Sequence, residues 1–217
     1  GKKTIVDGVL ELNHTKNIGI ATMAAAGIIG LYITLAREPK VFWIGAAGFL
    51  ISIIYSLPPI KLAYRGFGEL AVGFVYGPLL MSGSYLVQTH TLSLVTALAS
   101  LPVGFLIANV LVINEYPDYE ADLKGYKRNL VVRLGKKNSV TVYALLYILA
   151  YTGVMALMIV TRKFSWAIAL TSIPMAMSSV KVAQKYYDDI PRLVEANAKT
   201  ILVYIWTGLA LSLGALF

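Results

Sequence analysis

Residues Thr91–Ile113 read TLSLVTALASLPVGFLIANVLVI, 23 positions without a Lys, Arg, Asp or Glu. The hydrocarbon core of a bilayer is about 30 Å thick, and a helix rising about 1.5 Å per residue crosses it in roughly 20 residues. This run is long enough. Six more stretches share its character: Ile18–Ala36, Val41–Leu57, Leu70–Val87, Ser139–Val160, Phe164–Val180 and Thr200–Phe217, none of which holds a formal charge. Membrane barrels need strands of alternating apolar and polar residues, and these runs are continuous. The sequence therefore predicts an all-α fold, a polytopic transmembrane helical bundle with seven spans in this chain.

Composition agrees. Of 217 residues, 58% are hydrophobic and 14% charged, and the mean hydropathy is +0.70. Soluble domains run nearer 45–50% apolar and about 25% charged. The net charge of +8 is not a nucleic-acid footprint, because the cations sit between apolar runs. Residues 1–17, 58–69, 114–138 and 181–199 are long connections holding 15 Lys and Arg, whereas 37–40, 88–90 and 161–163 hold four. Cytoplasmic loops carry the excess of Lys and Arg. The long loops are thus expected in the cytoplasm and, with an odd number of spans, the C-terminus outside. Cysteine is absent, which excludes disulfides and thiolate metal sites.

Several features read as architecture. Pro78, Pro102 and Pro174 fall inside spans and permit kinks. Gly73 and Gly77 form a small-xxx-small pair that suits close helix packing. Asn109, inside a span, suits an interhelical hydrogen bond. Tyr143, Tyr147 and Tyr151 make a stripe that reads first as packing, with an aromatic wall beside a bound apolar substrate as the functional alternative. Asp188 and Asp189 point apart on a helix and read as a solvated face, and His14 and His90 fall in loops, outside any metal-ligand motif in the sequence.

The chemistry concentrates immediately after the opening stretch. Asn114-Glu115-Tyr116-Pro117-Asp118-Tyr119-Glu120-Ala121-Asp122 places four of the chain's 11 acids within eight positions. Asp118 and Asp122 are four apart, so on a helix both carboxylates leave one face. Unpaired, they repel. A hard cation such as Mg²⁺ reverses that, since it takes one or two carboxylates plus substrate phosphates. Lys124, Lys127 and Arg128 follow at once and are placed to hold phosphate oxygens. In the second loop, Lys61 and Arg65 are also four apart, and Glu69 either pairs with Arg65, the plainer reading, or orients an acceptor.

Asp118-x-x-x-Asp122, then Lys124-Gly125 and Lys127-Arg128, then Leu130-Val131-Val132-Arg133-Leu134-Gly135, resembles the second aspartate motif of UbiA-type prenyltransferases. The branch that prenylates 1,4-dihydroxy-2-naphthoate looks most similar; Gly68-Glu69-Leu70, Gly83-Ser84-Tyr85 with Gln88-Thr89, and Leu101-Pro102-Val103-Gly104 carry the likeness upstream. It covers most of Tyr55–Gly135. Two positions depart from the branch pattern: Glu115 replaces a second Asn, and Pro117 replaces Arg. Pro117 disfavours helix at Tyr116, so a break between Asn114 and Asp118 is expected.

The resemblance implies a Mg²⁺-dependent membrane enzyme moving an isoprenyl group from an allylic diphosphate to a small aromatic acceptor, such as a dihydroxynaphthoate. Asp118 and Asp122 would be catalytic and bind the metal. Lys61, Arg65, Lys124, Lys127 and Arg128 would hold the diphosphate, with Asn114, Glu115, Tyr116 and Glu69 as further candidates. The active-site loops would be 58–69 and 114–138 of a single domain over 1–217. The family's first aspartate motif has no counterpart here, and Gly1-Lys2-Lys3-Thr4 resembles the linker that follows it; two further spans, nine in all, are expected upstream. The rival readings are an archaeal-type lipid enzyme prenylating a glyceryl phosphate and, in another class, a transporter. Transporters place carboxylates near the midplane, whereas here every acid lies at a span end.

Overall fold

The computed structural model describes residues 11–217, all of whose regular structure is helical. Gly1-Lys2-Lys3-Thr4, read above as resembling a linker, lies outside the described residues. The chain divides into two compact units, one ending at Ala46 and one comprising Ala47–Phe217.

Helix α1 (Leu12–Ala36) has no buried residue, and a turn leads into α2 (Val41–Ser56). The third span, Gly68–Thr89, consists of α3 (Gly68–Phe74), one π turn (Val75–Leu79) and α4 (Leu80–Thr89). Pro78 falls in that π turn, where the missing N–H is accommodated by widening the helix. After α5 (Leu94–Asn114) come the short α6 (Tyr119–Lys124) and α7 (Leu130–Leu134), then α8 (Lys136–Thr161). The sixth span starts as a 3₁₀ stretch, Phe164–Ser172, and becomes α9 (Ile173–Tyr186). Pro174 lies in the first turn of α9, the position where a helix loses nothing to proline. Helix α10 (Ile190–Leu216) closes the chain.

All seven expected spans have helical counterparts. Six are long and apolar enough to cross a membrane, and α2, at 16 residues, is shorter. Many large apolar side chains face outward, among them Phe164, Ile159 and Leu149. Apolar surface on this scale needs lipid around it.

Helix α5 is the axis of the second unit and packs on the third span, α8 and α10. Its contact with the third span is backbone to backbone. A Cβ at Gly77 would lie 2.7 Å from Gly104 Cα and from Ser100 O, and one at Gly73 would lie 2.9 Å from Gly104 O. On its other side α5 meets α8 through Asn109, whose Nδ2 donates to the Tyr143 carbonyl at 3.0 Å.

The tyrosine stripe is buried and hydrogen-bonded. Tyr143 OH meets Ser179 Oγ and Thr200 Oγ1, while Tyr151 OH meets Ser172 Oγ at 2.8 Å, and Ser172 meets Thr207 at 3.0 Å. Hydroxyls inside a bundle that has no water beside it must find partners on neighbouring helices. Here the partners tie α8 to the sixth span and α10.

Candidate active site

The break expected at Pro117 is present. Helix α5 ends at Asn114, and Asp118 precedes α6, with the Asp122 N–H donating to the Asp118 carbonyl at 2.8 Å. Asp118 and Asp122 are therefore one helical turn apart, at the two ends of an i, i+4 hydrogen bond. Asp118 is exposed and its side chain caps nothing. Asp122 is half-buried and engaged at one oxygen only. Lys127 Nζ and Asn129 Nδ2 both donate to its Oδ2 at 2.8 Å. Burial pulls the Lys127 ammonium toward losing its proton, but the hydrogen bond and charge of Asp122 outweigh it and hold its pKa above the ordinary lysine value.

The two loops meet. Arg128 N–H donates to the Tyr64 carbonyl at 3.2 Å, and Leu130 N–H donates to Glu69 Oε1 at 2.9 Å. Gly66 has a φ of +71°, and a Cβ there would stand 2.6 Å from Arg133 Cδ. Only a residue without a side chain lets both the turn and the Arg133 stem fit. Arg133 in turn donates from Nε to the Arg128 carbonyl at 3.1 Å. Loop 58–69 thus lies directly against 128–133.

Of the expected phosphate-binding cations, Lys124 and Arg128 are exposed, and no hydrogen bond or ion pair engages their side chains among the described residues. Lys61 Nζ lies 5.1 Å from the Tyr64 ring centroid, and Arg65 Nη2 donates to the Pro59 carbonyl at 2.9 Å. The expected Arg65–Glu69 ion pair does not form. Helix α3 begins only at Gly68, so the two residues share no helix and their spacing of four brings them no closer. Glu69 is buried instead, turned toward Leu130 N–H and toward Glu115.

Glu115, also buried, is pushed up to about 9 by burial and by the adjacent Glu69 carboxyl, which faces it within hydrogen-bonding reach. At neutral pH it carries its proton. Among the described residues, Glu69 Oε2 and Glu115 Oε2 are buried without a hydrogen-bond partner. A proton on Glu115 relieves the repulsion that two buried carboxylates would suffer. Asn114 Oδ1 accepts from Asn197 Nδ2 of α10 at 2.7 Å, and Tyr116 OH donates to the Lys136 carbonyl at 2.9 Å. Both of those candidates tie the site to the bundle. Asn129 and Asn197 were not among the residues read from the sequence. Asn129 carried one readable signal, an Asn just ahead of an apolar helical run.

Among the described residues, no three His, Asp or Glu side chains gather as a metal cluster. The acidic turn offers two carboxylates, and among the described residues no donor engages Asp118 or the Asp122 Oδ1 atom. Two carboxylates, completed by substrate phosphate oxygens, suit Mg²⁺. The pair fits as one side of such a site.

Comparison with known proteins covers nearly the whole chain. The UbiA prenyltransferase family profile matches residues 2–215. The chain is 28% identical over 201 residues to the 1,4-dihydroxy-2-naphthoate octaprenyltransferase of Bacillus subtilis, an alignment covering 92% of this chain and 64% of that protein. It is 33% identical over 184 residues to UbiA prenyltransferase domain-containing protein 1 of Dictyostelium discoideum, covering 82% and 56%. It is 26% identical over 196 residues to the 2-carboxy-1,4-naphthoquinone phytyltransferase of Synechocystis, covering 87% and 62%. The chain spans about six tenths of the length of these relatives. No solved structure matches it significantly. With six helices of membrane-crossing length among the described residues and a family match that runs almost end to end, the chain is an integral membrane protein and belongs to the UbiA prenyltransferase family.

Proposed function

We propose that the full-length protein is a Mg²⁺-dependent prenyltransferase that moves an isoprenyl group from an allylic diphosphate to a small aromatic acceptor of the dihydroxynaphthoate type. The observation that carries this reading is the acidic turn: Asp118 and Asp122 one turn apart, with Lys124 and Arg128 exposed beside them. The names of the relatives, naphthoate octaprenyltransferase and naphthoquinone phytyltransferase, support the acceptor class.

Bound Mg²⁺ would neutralise charge developing on the departing diphosphate, the electrostatic contribution that usually dominates such steps. Asp118 and Asp122 supply its carboxylate oxygens from this chain. Lys124, Lys127 and Arg128 approach the phosphate oxygens from one loop, and Lys61 and Arg65 from the other, which packs against it through Tyr64 and Arg128. As the bond between the allylic carbon and its oxygen stretches toward a carbocation-like transition state, an electron-rich acceptor carbon forms the new bond, the diphosphate leaves with the C–O electron pair, and the substituted ring carbon then gives up its proton, or its carboxyl group as CO₂, to restore the aromatic ring. The apolar spans keep water from capturing that carbon and house the isoprenoid tail, each buried CH₂ contributing about 0.8 kcal/mol. The 15-to-4 distribution of Lys and Arg supports cytoplasmic active-site loops, with the C-terminus outside.

The test uses purified full-length protein, a radiolabelled polyprenyl diphosphate, 1,4-dihydroxy-2-naphthoate and Mg²⁺. Label should pass to an extractable product only when the naphthoate is present. Transfer to a glyceryl phosphate instead would replace the acceptor assignment, and no transfer to any acceptor would remove the reading.

A further inference from the structure

We propose that Asn129 is a positioning residue that aims the Asp122 carboxylate, a role that rests on the metal–diphosphate reading above. Its side chain is 1% exposed and committed at both ends. Nδ2 donates to Asp122 Oδ2 at 2.8 Å, and Oδ1 accepts the Val132 N–H at 2.9 Å. A flipped amide would set its oxygen against the carboxylate and its NH₂ against an N–H. Only one orientation satisfies both partners.

The need for such a residue follows from where Asp122 sits. Helix α6 has six residues, none of them buried. A helix that short does not fix its own side chains, because helical order in short segments comes from packing. Asn129 stands on firmer ground. It caps α7, whose Val131 is fully buried and whose Leu130 N–H is held by Glu69 Oε1. Glu115 lies beside Glu69 and close to the Val131 backbone. Glu69 lies in the first turn of α3 and Glu115 directly follows α5. Rigidity therefore passes from two spans through the start of α7 to Asn129, and from Asn129 to Asp122.

The consequence is directional. Lys127 and Asn129 converge on the same oxygen, Oδ2, which leaves Oδ1 as the atom available to a cation. Lys127 is a long and partly exposed partner, with a side chain 30% accessible, and is free to turn toward a phosphate. Asn129 has no such freedom. Partners behind a metal ligand typically change metal affinity by roughly 10–100-fold when removed.

The competing account makes Asn129 only a helix cap, and three variants separate the two. Gly is nearly as good as Asn at an N-cap, costing only a few tenths of a kcal/mol, but cannot reach Asp122. Thr retains a hydroxyl able to accept the Val132 N–H and donate to Asp122. Asn129→Ala also loses the Asp122 contact and, as a poorer cap, should lower Tm as well. Mn²⁺ binding to full-length protein in detergent, with inorganic diphosphate present, is followed by the electron paramagnetic resonance signal of free Mn²⁺, and Tm is recorded alongside. Asn129→Gly should raise the Mn²⁺ Kd about tenfold with Tm near wild type, and Asn129→Thr should stay within about threefold. If Asn129→Gly binds Mn²⁺ like wild type while Asp122→Ala does not bind it, Asn129 is only a cap and the inference is overturned. If Asp122→Ala itself binds like wild type, the metal assignment fails, and the positioning role goes with it.

Discussion

Glu69, at the start of α3, and Glu115, just beyond α5, turn their carboxyl groups toward one another in a buried space where the two loops meet. Tyr55 and Lys127 are the other titratable groups near the pair. The sign of the pH dependence follows from Glu115. Its pKa is raised in the fold from 4.5 to about 9, so the fold favours the protonated form. The associated stability is fully present below about pH 4.5 and is lost progressively as pH rises toward 9.

Glu115→Gln should therefore stabilise the protein increasingly with pH, because the neutral amide keeps a donor for Glu69 and never ionises. At pH 8 the variant should melt at least several degrees above wild type, because the whole interval from about pH 4.5 upward contributes. At pH 5 the gain should be small. Thermal unfolding in detergent at both values checks it; an equal shift at the two pH values would remove the proton from Glu115.

Gly77→Ala should destabilise by about 1–3 kcal/mol, the usual cost of forcing atoms into a packed interface. The added Cβ would meet Gly104 Cα and Ser100 O at 2.7 Å, and backbone cannot rotate aside. Gly208→Ala is the control, since nothing lies within 4 Å of the added carbon. Unfolding of the two variants in one detergent should separate them clearly, and matching Tm values would mean that α5 and the third span do not pack this closely.

Arg128→Ala should weaken binding of the prenyl diphosphate at least about tenfold, the loss expected for one charge-assisted hydrogen bond, and leave acceptor affinity nearly unchanged. Among the described residues its guanidinium has no hydrogen-bond or ion-pair partner to lose, so stability should hold. Titration with a non-reactive diphosphate analogue reads the effect directly. Equal affinity in variant and wild type would return Arg128 to a role as an orientation charge.

The seven helical stretches were legible because bilayer thickness dictates long uncharged runs, and the break before Asp118 was legible because Pro117 restricts Tyr116. Asp118, Asp122 and the cations around them stood out by composition. What stayed hidden was pairing across distance. Glu69 reads locally as a partner for Arg65, yet its partners are Leu130 and Glu115, and no local periodicity links positions so far apart. Asn129 and Asn197 likewise look like ordinary polar residues until the fold brings Asp122 and Asn114 to them. The tyrosine stripe of α8 was readable as packing, but not its hydroxyl partners on the sixth span and α10.

The central claim is that Asp122, with Asp118, carries the divalent cation that the reaction needs. The direct measurement is the rate of prenyl transfer by full-length protein bearing Asp122→Ala, purified in detergent beside wild type at matched Tm and saturating Mg²⁺. Asp122 lies on a half-exposed turn and not in the core, so folding should survive. Removal of a group that stabilises transition-state charge typically costs roughly 100–1,000-fold, and the account predicts a loss on that scale. Transfer at the wild-type rate would contradict it.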